Sequence, residues 1–151
     1  MKIKILSICL LLLLNSCGFQ PIYNSKNLQN FSLEIISIDG DREVNNFVKN
    51  NLRIYLNNLY KNKFSLNIKT DYKKNILTKD TQGKATDYEL IIQANFEVIS
   101  NKSNYDFEII KKFNIKNLND SFQEKEYERT IKQNLVNIIT NELLNKISVI
   151  E

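Results

Sequence analysis

The period of the apolar residues changes twice along this chain, and that change limits its folds most. Phe64, Leu66, Ile68 and Tyr72 alternate with Ser65, Asn67, Lys69 and Asp71. Tyr88, Leu90, Ile92, Ala94, Phe96 and Val98 alternate in the same way, broken only by Ile91. Tyr105, Phe107, Ile109, Phe113 and Ile115 share one parity, with Lys111 the exception. A period of two with one apolar face predicts antiparallel strands covered on one side. On either side of this block the period becomes helical. Val44, Phe47, Val48, Leu52, Tyr55, Leu56 and Leu59 keep to one face at 3.6 residues per turn, which predicts a helix over 41–60. Asp41 is placed to cap it. Tyr127, Ile131, Leu135, Ile138, Ile139, Leu143 and Ile147 form a second stripe. It starts at Ser121-Phe122-Gln123-Glu124, which fits a capping box.

Before the first helix, Phe31 to Ile38 is a short aliphatic run that stops at Asp39-Gly40-Asp41, a turn signal. The order is therefore strand, helix, strand, strand, strand, helix. One four-stranded, mostly antiparallel sheet with both helices on one face buries every stripe. The expected class is α+β, a two-layer sandwich spanning 31–151. Its other sheet face is polar and open to solvent or a partner. Asn101 to Asn104 joins the last two strands as a hairpin, and 73–86 reads as a longer basic connection.

The N-terminus reads as an address. Lys2 and Lys4 precede Ile5 to Leu14, ten residues interrupted only by Ser7 and Cys9. As a helix that run spans about 15 Å, half a bilayer core of about 30 Å. It suits a signal peptide better than a membrane span. Leu14-Asn15-Ser16-Cys17 then resembles a bacterial lipobox: aliphatic, variable, small, Cys. The expected division is a cleaved signal over 1–16, a lipidated tether over 17–30 and the folded domain beyond. Cys17 would carry a thioether-linked diacylglycerol and an N-acyl chain. Three acyl chains anchor far more firmly than the single chain that binds only marginally. Gly18 stands where an Asp would signal inner-membrane retention, so the expected destination is the outer membrane.

This changes what the composition means. The whole chain has 151 residues and a charge of +4, with 21 basic and 17 acidic side chains. Without residues 1–16, 135 residues and a charge of +2 remain, which gives little support for nucleic-acid binding, and none is expected. Cys9 is discarded and Cys17 is acylated, so no thiol is left for a disulfide. The chain has no His and three Gly, which removes His-based triads and glycine-rich phosphate loops. No metal-ligand spacing occurs, and no cofactor is expected. Glu124, Glu126 and Glu128 read as the solvated start of a helix. The expectation is a protein that is not an enzyme, the remaining enzymatic option being a Ser-Lys site that no Ser motif recommends.

Two readings of the cations stand side by side. Lys73, Lys74, Lys79 and Lys84 lie in a twelve-residue stretch with only Asp80 against them. They are either solubility charges and edge protectors or contacts for anionic groups such as lipid phosphates. Lys111, on the apolar parity of the last strand, is expected near a strand end or in a bulge.

Cys17-Gly18-Phe19-Gln20-Pro21-Ile22-Tyr23 resembles the mature N-terminus of the lipopolysaccharide-assembly lipoprotein LptE, in its alphaproteobacterial form. Asp41-Arg42 and Asn51-Leu52-Arg53 are similar to that family's first helix, and the element order agrees over nearly all of the mature chain. The resemblance implies a non-enzymatic outer-membrane lipoprotein. Its partners would be a large LptD-like β-barrel, whose lumen it plugs, and lipopolysaccharide. On that reading Lys73, Lys74, Lys79 and Lys84 are candidates for sugar phosphates, although no family motif assigns them. The other reading is a free-standing periplasm-facing lipoprotein that binds a small ligand or maintains the envelope.

Overall fold

The computed structural model describes residues 31–56, 60, 62–101, 103–118 and 120–150. The signal, lipobox and tether readings over 1–30 lie outside the described residues. The elements run β1 (Phe31–Gly40), α1 (Arg42–Leu56), β2 (Asn62–Lys79), β3 (Ala85–Ile99), β4 (Asn104–Lys116) and α2 (Ser121–Ile150). The sheet order is β1-β2-β3-β4. β1 runs parallel to β2, and the other two pairings are antiparallel. α1 packs on β1 and β2, α2 packs on β3 and β4, and the helices touch each other. This is the α+β sandwich of the expected order, with a mixed sheet.

Alternation explains the sheet. Leu66, Leu90, Ile92, Phe96 and Val98 point into the helix layer and are at most 1% exposed. β1 adds Phe31 and Leu33, and the helices close the core with Val48, Leu52, Ile139 and Leu143. A register shift between Ile35 and Ser37 leaves Ile36 without a partner in the ladder and exposed. The shift keeps Ile38 facing Ile68 on the inner side.

β1 continues through the expected turn to Gly40, which pairs with Thr70. Gly40 has φ +107°, and a Cβ there would lie 1.8 Å from the Thr70 carbonyl oxygen. Only glycine permits so close a crossing. One residue later Asp41 Oδ1 accepts from Val44 N at 2.9 Å, so the expected cap is present. Thr70 then donates to Asn45 Oδ1 at 2.7 Å, tying the first turn of α1 to β2 inside the core.

Several expectations need correction. The first helix is described over Arg42–Leu56 and Tyr60 is not helical; residues 57–59 lie outside the described residues. Ser121 does not cap α2. The helix begins at Ser121, so Asp120 is the cap: its Oδ1 accepts from Phe122 N at 2.8 Å and Gln123 N at 3.3 Å, and the Glu124 carboxylate bonds Lys74 instead. Ile131, Leu135, Ile139, Leu143 and Ile147 of the expected α2 stripe are buried, but the buried face extends to Lys132, Val136, Thr140 and Leu144, whereas Tyr127 and Ile138 are exposed. Phe113 is also exposed. Lys111 sits neither at a strand end nor in a bulge. The β3–β4 ladder is continuous through it, opposite Ile92, and its ammonium reaches Glu142 Oε2 of α2 at 2.7 Å. A lysine fits this inner position because β4 is an edge strand and a carboxylate waits above it.

The largest correction concerns 73–86, which is not a connection. β2 runs on to Lys79, nine residues past its last pairing with β1, and turns at Asp80–Lys84 straight into β3. Asp80 Oδ1 takes Gln82 N and Lys84 N, both at 2.9 Å, and Gly83 supplies φ +84°.

Candidate functional site

Because Lys73 and Lys74 lie on a strand, their side chains point to opposite faces. Lys73 lies on the outer face beside Asp71, at 2.9 Å, and stays exposed. Lys79 ends β2 and Lys84 lies in the turn, both exposed. Lys74 turns inward. Its ammonium bonds Glu124 Oε1 at 2.7 Å and Glu128 Oε2 at 2.9 Å, and it lies 4.2 Å from the Tyr88 ring centroid. The four candidate cations therefore do not form one cluster. Three reach solvent and the fourth is held inside.

Lys74 belongs to a network that joins β2 to the N-terminal parts of both helices. Tyr72 OH donates to Glu128 Oε1 at 2.7 Å. Lys132 Nζ bonds Glu43 Oε2 at 2.9 Å and Glu128 Oε1 at 3.1 Å, with the Tyr72 ring centroid 4.0 Å away. Arg129 approaches Glu43 at 3.6 Å. Three cations thus face Glu43, Glu124 and Glu128. Burial alone would raise the Glu128 carboxyl; hydrogen bonds from Lys74, Tyr72 and Lys132 outweigh it and hold it below its ordinary value. Burial would lower Lys74 and Lys132, but their glutamate partners raise both. Burial, then the bond to Glu128, pushes the Tyr72 phenol far up.

The network was hidden in the sequence as a solvated glutamate face. Glu126 is exposed, but Glu124 and Glu128 are not. The available signal was spacing: Glu124, Glu128 and Lys132 recur every four residues on one helix face. Every group is paired, and no nucleophile stands beside a base. The arrangement positions the first half of α2 on the sheet.

At the hairpin end, Asp87 accepts from Thr78 and Thr86, and these hydroxyls hold its carboxyl below the ordinary range. Lys84, Lys116, Asp80 and Asp87 line a hollow of about 340 Å³ there. This end mixes cations and carboxylates, so it is not uniformly basic.

The outer sheet face carries a shallow trough of about 530 Å³, lined by Ser37, Asn67, Lys69, Asn95, Glu97 and Glu108 among others. Its polar groups bond one another. Ser37 donates to Asn67 and Asn67 to Glu97, each at 2.8 Å, and Gln93 donates to Glu108 at 2.7 Å. A third hollow, about 370 Å³ and mostly apolar, lies between Phe107 and the last turns of α2. Among the described residues no three acidic, Cys or His side chains converge as a metal site, and no helix is long and apolar enough to cross a membrane. Cys17 lies outside the described residues.

Similar structures are lipoproteins. The rare lipoprotein B of Shewanella oneidensis aligns with a TM-score of 0.60 at 16% identity, over 79% of this chain and 93% of that one. An uncharacterized lipoprotein B of Nitrosomonas europaea gives 0.54 at 11% identity, over 80% and 86%. A minor lipoprotein of Acinetobacter baumannii gives 0.51 at 13%, over 77% and 93%. At these identities the likeness establishes a shared fold. No family model and no curated protein matches the sequence.

Proposed function

We propose that this chain is a non-enzymatic, lipid-anchored outer-membrane protein of the LptE type. It plugs and assists the assembly of an LptD-like β-barrel and contacts lipopolysaccharide on its way to the cell surface. One conjunction carries the reading. A lipobox and the run Cys17 to Tyr23 directly precede a domain with the lipoprotein B fold. A signal of that kind on an unrelated fold would speak only for secretion.

The surface is compatible with a barrel lumen, which is polar and wet. Much of the outer sheet face offers Asn, Gln and paired charges, with Ile110 exposed among them. Of the four candidate cations, Lys79 and Lys84 are exposed and Lys73 is exposed beside Asp71, so these three are the ones placed to meet sugar phosphates. Lys74 would have to leave two carboxylates to do so, and its part is to hold α2. The reading of a free-standing small-ligand binder has no comparable support, because the hollows lie on open surface while Leu66, Ile92, Phe96 and Leu143 fill the space between sheet and helices.

Affinity purification from detergent-solubilised membranes tests the reading. Co-purification of a large outer-membrane barrel, with loss of surface lipopolysaccharide on depletion, is the expected result. Recovery from washed outer membranes with no barrel overturns it. The anchor is tested separately: Cys17→Ala should accumulate as an unprocessed precursor, and normal cleavage and export of that variant would refute lipidation at Cys17.

A further inference from the structure

The composition of the tether does not suit a free linker. Residues 18–30, which lie outside the described residues, read Gly-Phe-Gln-Pro-Ile-Tyr-Asn-Ser-Lys-Asn-Leu-Gln-Asn. Phe19, Ile22, Tyr23 and Leu28 are large and apolar, and Lys26 is the one charge. Solvated linkers are rich in Gly, Ser or charge and poor in aromatic residues, because little in them gains by burial. Pro21 fixes its own φ and biases Gln20 toward extended backbone. In a polyproline-type stretch, with three residues per turn, Phe19 and Ile22 project to one side. Such a stretch offers two apolar side chains to a single groove.

The domain carries a groove that suits them. The trough on the outer sheet face and the hollow at the hairpin end are lined largely by polar and charged groups. The hollow of about 370 Å³ beside the end of α2 is mostly apolar. β4 contributes Phe107 to it, and the last turn of α2 contributes Val149 and Ile150. Val149 is 85% exposed, and Phe107 and Ile150 are only partly buried. The charged groups at the rim are engaged with one another. Glu142 holds Lys111 at 2.7 Å and Lys146 at 3.9 Å, and Lys146 lies 5.5 Å from the Phe107 ring centroid. What stays open is hydrocarbon. The tether can reach it. Phe31, where the tether joins the domain, pairs with Asn62, six positions before Ile68. Ile68, Phe96 and Phe107 stand side by side across β2, β3 and β4. At about 3.3 Å per residue and about 4.8 Å per strand, Phe31 and Phe107 are about 25 Å apart. The nine residues 22–30 extend to about 30 Å.

We infer that the tether crosses the end of the domain from β1 to β4 and seats Ile22, with Phe19 beside it, in the hollow between Phe107 and the last turn of α2. The consequence is a shorter leash. A free tether of fourteen residues lets Cys17 lie about 46 Å from Phe31, whereas five residues, about 17 Å, separate it from a seated Ile22. The lipid then leaves the domain beside α2 and β4 and not beside β1, which holds the domain near the leaflet in one orientation. The inference goes beyond the barrel reading and uses no part of it. From the anchor reading it takes only Cys17 as the acylated end.

The processed full chain in isolated membranes provides the test. With Cys9 removed and Cys17 acylated, Ile22→Cys with Val149→Cys supplies two thiols and no others. Mild oxidation should join them within one chain, seen as a faster-migrating monomer without reductant. Ile22→Cys with Ile76→Cys, toward the opposite end of the sheet, should not join. Val149→Cys by itself should react with a maleimide about tenfold more slowly than the same thiol in a chain that also carries Phe19→Asp and Ile22→Asp. An unchanged circular-dichroism spectrum shows that each variant still folds. Equal labelling with and without the two Asp substitutions overturns the proposal: if fast, the hollow is empty, and if slow, a lipid or the barrel fills it. So does the absence of an intramolecular disulfide, or one that forms at position 76 as readily as at 149. The mass of the same samples reports acylation of Cys17 separately, so failure of the anchor reading is not mistaken for failure of the docking.

Discussion

β2 passes through two different environments. Up to Thr70 it lies between β1 and β3 beneath α1, and its inward residues Phe64, Leu66 and Ile68 are 0–4% exposed. Beyond Thr70 it loses β1 and α1 together, and its inward residues become Tyr72 and Lys74, met by Glu128 and Glu124. One half is held by apolar packing around a single tight glycine. The other is held by charges that pair with one another under α2. Packing tolerates few changes of shape. Paired partly buried charges tolerate changes of shape better than changes of protonation, because removing one partner strands another. The two halves should therefore fail under different perturbations.

The largest effect belongs to the first half. Gly40→Ala places a Cβ 1.8 Å from the Thr70 carbonyl in a backbone conformation that L residues rarely adopt. Backbone cannot step aside as a side-chain tip can, so β1 must separate from β2 there. The expected loss is about 3 kcal/mol or more, read as a shift in the urea midpoint. A change below about 1 kcal/mol would mean that the crossing at Gly40 does not anchor this half.

The second half should respond to charge and pH. Glu128→Gln keeps the shape but removes the charge that Lys74, Tyr72 and Lys132 share. The expected cost is about 1–2 kcal/mol, reduced from the fully buried case because solvent reaches the network. Glu128 is held below its unfolded value of 4.5. Its contribution is thus complete above that pH and is lost as pH falls through its lower folded value. Lys74 and Lys132 are raised above 10.5, so theirs is complete below that pH and fades as pH rises through the higher folded values. Stability should accordingly plateau between these limits, and Glu128→Gln should flatten the acid flank. Hydrogen exchange at low pH should open the first turns of α2 and residues 71–79 before the core around Phe96. Simultaneous opening of both halves would show that the network is not a separate fastening.

The same contrast explains what the sequence made legible. Where apolar packing holds the fold, alternation announced it: the inward residues of β3 and the start of β2 were readable directly. Where charges hold it, the pattern failed. Lys73-Lys74 broke the alternation, so the second half of β2 resembled a basic loop. Glu124 and Glu128 resembled solvent-facing residues because their partner on the sheet, Lys74, lies 50 and 54 residues away in sequence. Lys111 looked like an irregularity for the same reason, its carboxylate being supplied by α2. A charge pair formed across elements leaves no local period. Tyr127 and Ile138 were misplaced because a helix lying against a sheet edge can leave one apolar flank uncovered.

Gly83 sharpens the comparison at its small end. It also has positive φ, +84°, but a Cβ there would meet nothing within 4 Å. Its substitution therefore isolates backbone strain from collision. Gly83→Ala should cost about 1–2 kcal/mol, the ordinary penalty for a left-handed L residue, and Gly83→Asn less, since Asn visits that region more readily. Both should be milder than Gly40→Ala by chemical denaturation. If Gly83→Ala matched Gly40→Ala, collision with Thr70 could not be what sets the two glycines apart. The turn at Asp80–Lys84, which Asp80 closes by accepting from Gln82 N and Lys84 N, would then be as tightly determined as the crossing between β1 and β2.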